Sequence, residues 1–166
     1  MSTINTDLFR TIRSKLVADA TIISKIKKDR NGRLSIRPGS SIPSGFLLPG
    51  ITIEVIENAS EPLFPVSNDL VRIMFWTDPK AQEQGYSLRK TVADAIIALF
   101  NREGSSLNNI DIPTNTGIRV ASMLKTSVIF DHDEVIDRNY VEILFDVIRS
   151  ESESYDPGDA GNQGWV

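Results

Sequence analysis

The sequence predicts an α+β fold, a four-stranded and mainly antiparallel sheet with two helices packed on one face and a long C-terminal β-hairpin. Three observations predict it. Residues 118–130 and 140–148 alternate apolar and polar positions in β-branched and aromatic residues, which is strand periodicity. Two further apolar runs, 51–56 and 70–76, have strand composition. Two other segments repeat apolar residues every three or four positions, which is helical periodicity.

The first helix is expected from Asn5 or Thr6, with Asp7 in the first turn, where negative charge suits the helix dipole. Its stripe is Leu8, Ile12, Leu16 and Ala20. Asp19-Ala20-Thr21 breaks the helix, with Asp19 or Thr21 available to cap a second short piece. Residues 29–50 then carry Asn31-Gly32, Pro38, Gly39, Pro43, Gly45, Pro49 and Gly50, a run of turn chemistry with a short strand at Leu34-Ser35-Ile36. Ile42, Phe46, Leu47 and Leu48 are too apolar for a purely solvated loop, so packing on this subunit or a partner is expected.

Residues 51–56 alternate cleanly. The nearly unbroken apolar run 70–76 predicts a central strand covered on both faces. Pro62, Pro65 and the turn formers Asn68-Asp69 place a loop between them. Leu88, Val92, Ile96 and Leu99 define a second helix over about 82–101, stopped by Gly104, and 108–115 reads as loop. In the hairpin, Ile118, Val120, Leu124, Val128 and Phe130 are expected on one face of the first strand, and Val141, Ile143, Phe145 and Val147 on one face of the second. Strands this long would overhang their own core and need a neighbour.

Composition narrows function. With 166 residues, residues 1–149 are read as one domain and 150–166 as an acidic, disordered tail. The tail from Ser150 holds Glu151, Glu153, Asp156 and Asp159 and no base, so without these four the 22 acids fall to 18 and match the 18 Lys plus Arg. The net charge of −4 therefore belongs to the tail, and a neutral body is a poor general grip for nucleic-acid phosphates. A local basic segment stands out at Lys25, Lys27, Lys28, Arg30, Arg33 and Arg37, read as a solvated helix end and loop or as a nucleic-acid contact. No cysteine is present, which excludes disulfides and thiolate chemistry. No apolar run is long enough for a helical membrane span, and the N-terminus lacks signal-peptide character, so synthesis in the cytoplasm and no membrane partner are expected.

The densest cluster of candidate side chains is Asp131, His132, Asp133, Glu134 and Asp137 between the two long strands. Carboxylates and an imidazole suit a divalent cation, yet the spacing lacks the alternating ligands, central glycine and terminal glutamate of a calcium loop. Crowded carboxylates can also supply an acid or base. The reading adopted is a solvated or partner-facing tip whose charge prevents edge aggregation. Trp165, an aromatic in a polar tail, is read as a partner anchor. Trp76 and Phe75 are read as core. No Gly-x-Ser-x-Gly, phosphate loop, dinucleotide fingerprint or His-Glu-x-x-His occurs, so no catalytic residue, cofactor site or metal site is assigned.

The order of elements does carry a resemblance. It lies in Leu16-Val17-Ala18-Asp19-Ala20, the strand after Pro49, a strand ending Phe75-Trp76-Thr77-Asp78, the helix with Leu88, Val92 and Leu99, and the run from Val141 to Val147. Over residues 7–149 it resembles the tail terminator (tail-completion) proteins of long-tailed bacteriophages. The resemblance implies a structural, non-enzymatic virion subunit that needs no cofactor. Such subunits form a ring, commonly a hexamer, on the head-proximal end of the tail tube, where the ring ends tube polymerisation. Its partners would be other copies of itself, the tube protein and the head-completion or connector protein, with DNA only passing through the lumen. It would be assembled in the host cytoplasm and reside in the virion neck. A head-closure or neck adaptor is the alternative, and a small metal-dependent enzyme using the acidic tip is the reading from another class.

Overall fold

A computed structural model describes residues 3–56, 66–100, 110–111 and 118–151. Chain order is α1 (Thr3–Ala18), α2 (Ala20–Ile23), β1 (Ile36–Pro38), β2 (Gly50–Ile56), β3 (Val66–Thr77), a 3-10 turn (Gln82–Gln84), α3 (Tyr86–Phe100), β4 (Ile110–Asp111), β5 (Ile118–Asp133) and β6 (Arg138–Glu151). The α+β class stands, but the sheet is larger than expected. Six strands join in the order β1-β2-β3-β6-β5-β4. The four expected strands are β2, β3, β5 and β6, and two short ones extend the edges. Every pair is antiparallel except β1 with β2.

Helix α1 ends where Asp19 takes over as N-cap of α2, its carboxylate accepting from the Ile22 amide at 3.0 Å. The break redirects the stripe. Leu8, Ile12 and Leu16 are fully buried as expected, whereas Ala20 is exposed and Ile22 carries the burial onward. Val92, Ile96 and Phe100 of α3 join the same core as Ile51, Ile53, Val71, Ile73, Val141, Ile143, Phe145 and Val147 of the sheet. The cross-strand register puts those sheet residues on one face: Ile53 opposes Ile73, and Ile73 opposes Ile143. Both helical stripes therefore cover one side, as the periodicities required.

Three corrections have local causes. Asn68-Asp69 do not turn the chain; they lie inside β3, paired with Ile148 and Val147, because a partner strand outweighs weak turn propensity. Leu124 does not share a face with Val128 and Phe130. The ladder shifts register between Val120 and Ser122 and again between Lys125 and Ser127, and each extra residue flips the side chains beyond it. Met123 takes the buried position opposite Val147, and Leu124 opposes Asp146. Lastly, β6 does not overhang the sheet. It pairs with β3 from Asn139↔Thr77 to Ser150↔Val66 and with β5 on its other side, so the hairpin's second strand is central.

The opposite face of the sheet has no described helix across it. Trp76 and Thr52 are nonetheless buried there, joined by an indole N–H donating to the Thr52 hydroxyl at 2.9 Å. Tyr140 lies against the indole with ring centroids 5.0 Å apart. Burial, then the nearby Asp131 and Glu142 carboxylates, push the Tyr140 phenol above its usual range. Phe46 from the connection before β2 closes over Gly50, where an added Cβ would stand 2.6 Å from the ring's Cε1 and 2.7 Å from Ser35 Oγ. Phe46 thus packs on its own subunit, while Leu47 is left 39% exposed.

Candidate functional site

The tip of the β5–β6 hairpin gathers Asp131, His132, Asp133, Glu134 and Asp137. The last ladder pairs are Asp131↔Tyr140, His132↔Asn139 and Asp133↔Arg138, and residues 134–137 form the turn. Most of the polar groups here hold the tip together. The Asp133 carboxylate accepts from the Val135 amide at 2.9 Å and the Ile136 amide at 3.2 Å, an Asx-type turn. Asp131 accepts from the His132 amide at 2.8 Å. His132 is bracketed, Nδ1 lying 2.6 Å from Asn139 Oδ1 and Nε2 lying 3.2 Å from Asp137 Oδ1. Asp137 takes a left-handed φ of 52°, a conformation aspartate tolerates better than most residues, and its carbonyl accepts from the Arg138 guanidinium at 2.7 Å.

Most of the tip's polar side chains are thus engaged in bracing the turn. The histidine faces an amide oxygen and a carboxylate. Among the described residues no group of three or more His, Asp or Glu side chains is arranged to hold a metal ion. What the bracing presents is apolar: Val135 is 93% exposed and Ile136 is 36% exposed at the crown of a charged turn. Trp165, the remaining candidate, lies outside the described residues. Trp76 is buried as expected, but on the sheet face opposite the helices, against Thr52 and Tyr140, while Phe75 joins the core.

A second surface went unrecognised in the sequence because three distant segments build it. A cleft of about 340 Å³ is lined by Ser24, Lys25 and Lys27 after α2, by Leu48 and Pro49 before β2, and by Glu83, Gln84 and Leu88 at the start of α3. Backbone bonds hold its floor: the Lys27 amide donates to the Pro49 carbonyl at 2.8 Å and the Ser35 amide to the Lys27 carbonyl at 2.9 Å. The basic segment then turns back at Asp29, whose carboxylate accepts from the Arg33 and Asn31 amides at 2.9 and 2.8 Å. Those bonds, the Arg33 amide's foremost, hold the Asp29 carboxyl below its usual range. Lys25, Lys27, Lys28, Arg30, Arg33 and Arg37 all remain exposed. Near the cleft Arg89 donates to Thr77 Oγ1 at 3.0 Å, fixing the start of α3 against the end of β3.

No family model matches the chain, and no curated protein matches it. Among solved structures, a chain in the virion of a native gene transfer agent particle matches with a TM-score of 0.60 at 18% identity, over 90% of this chain and 99% of that one. The two share a fold. At that identity the likeness is one of fold alone. Among the described residues no helix is long and apolar enough to cross a membrane.

Proposed function

We propose that this chain is a structural subunit of a phage-like particle, and within that class the ring-forming terminator of a tail tube. The observation that carries the structural-subunit reading is the correspondence in fold with a virion chain, over 90% of this chain and 99% of that one. The braced hairpin tip, whose polar groups bond to one another, supports a role in contact formation. On this reading the chain works by shape: copies close into a ring at the head-proximal end of the tube, stop its growth and offer a surface to the head connector. DNA passes through the ring, and no reaction or cofactor is involved.

Disrupting the gene in its native replicon tests this. A terminator's loss gives overlong tails and unjoined heads in electron micrographs. Unjoined heads beside tails of normal length would assign the chain to the neck or head-closure adaptors instead. Normal particles would reject both.

A further inference from the structure

We infer that the acidic hairpin tip of one copy docks in the basic cleft of the next. Val135 enters between Leu48, Pro49 and Leu88, and Glu134 faces Lys25 and Lys27. This rests on the structural-subunit reading and specifies the contact that would build the ring.

Four observations converge on it. The tip carries Asp131, Asp133, Glu134 and Asp137 against one arginine, Arg138, and one histidine. The cleft itself is lined by Lys25 and Lys27 against Glu83, and the exposed Lys28 and Arg30 follow directly in the chain. Opposite charges on two surfaces of one chain favour contact between copies and steer it. Next, the tip holds a branched aliphatic almost wholly in water, 93% exposed, on a turn braced by its own carboxylates. A pre-ordered apolar knob loses little freedom on docking. The cleft offers the complement, three apolar side chains in a cavity of about 340 Å³ rimmed by ammonium groups.

The fourth observation is placement. Tip and cleft lie at the same end of the sheet, since Asn139 pairs with Thr77 and Trp76 pairs with Gly50. They lie toward opposite edges, because β5 and β2 are three strand steps apart, roughly 14 Å at the usual strand spacing. A neighbour placed edge to edge therefore meets the cleft with little shift along the strands. Two different patches meeting head to tail with rotation and little climb are what closure into a ring requires; a contact with climb would give an open filament.

The absence of native cysteine makes the test direct. Val135→Cys and Glu83→Cys are made in separate full-length chains, mixed under mild oxidation, and run on a non-reducing gel beside each chain alone. The expected product is a mixed dimer at least five-fold more abundant than either self-linked dimer. Predominance of the Val135→Cys self-link would mean tip-to-tip contact and overturn the proposal. In parallel, K25E/K27E should reduce self-association, read by light scattering, at least ten-fold, and adding Glu134→Lys should recover much of it. That rescue also shows that the charge-reversed chain folds. If K25E/K27E lowers retention of duplex DNA and leaves self-association unchanged, the segment serves nucleic acid and the proposal fails. Wild-type rings without the mixed crosslink would sink this dock alone. Wild-type chain that never associates, alone or on tail tubes, would sink the ring reading with it.

Discussion

Replacing Thr52 by valine removes one buried oxygen and almost no volume, so it isolates a single hydrogen bond. Thr52 is fully buried, Trp76 is 1% exposed, and the indole N–H donates to the hydroxyl at 2.9 Å. Valine leaves that N–H without an acceptor in a dry site, at a cost of about 1–3 kcal/mol. Trp76→Phe deletes the donor and part of the ring, adding a packing loss of similar size from the void left behind. In the double variant no polar group is orphaned, so its cost should fall short of the sum of the singles by about 1–2 kcal/mol. Urea unfolding followed by far-UV circular dichroism measures all four corners of the cycle, with shared slopes as the check that two-state behaviour holds. Additivity to within about 0.4 kcal/mol would refute the argument, because it would mean that the indole N–H reaches water or another acceptor when Thr52 is gone.

Gly50→Ala should destabilise by about 1–3 kcal/mol through overpacking against the Phe46 ring, and adding Phe46→Leu should return part of that loss in the same unfolding assay. Asp19→Ala removes the N-cap of α2 and should cost about 0.5–2 kcal/mol, with Asp19→Asn closer to wild type. Asp29 has a folded-state pKa below its ordinary value, so its hold on the 29–33 turn is complete at neutral pH and lost as pH falls through that lowered value. Amide exchange at Asn31 and Arg33 should lose protection on that acid side, and Asp29→Ala should abolish the pH dependence. Val135→Ser should leave the melting temperature of the free chain unchanged, since the side chain is 93% exposed, while weakening association in light scattering.

The parts of the fold legible in sequence were those in which a local pattern and the tertiary environment agree. β5 and β6 alternate because one of their faces meets the helices, and α3 announces itself by Val92 and Ile96. β1 was expected two residues early, at Leu34-Ser35-Ile36, and β4 falls in the stretch 108–115 read as loop, because Ile36–Pro38 and Ile110–Asp111 are too short for any periodicity and owe their state to a partner strand. The bulges are equally silent: nothing local in Lys125-Thr126-Ser127 says that one residue will be skipped, yet it moves Leu124 off the core face. At the tip, four polar side chains in a row and a fifth at Asp137 do not reveal that Asp133 and Asp131 bind backbone amides while Val135 is put forward. Of the cleft only its basic residues had a local signal, since Lys25, Pro49 and Leu88 meet only after the sheet and helices pack.

The centrality of β6 has a consequence for how a usable subunit is made. The strand that both halves of the sheet require is the final one described, and its pairing with β3 joins residues 139–150 to residues 66–77. Until that stretch leaves the ribosome, β2 and β3 have one open border and the helices have half a floor to rest on. Folding must wait on late, long-range pairing, which is intrinsically slow. An abortive translation product lacking β6 therefore lacks both the platform for the core and the closed hairpin tip, so such fragments cannot reach the folded state by any partial route.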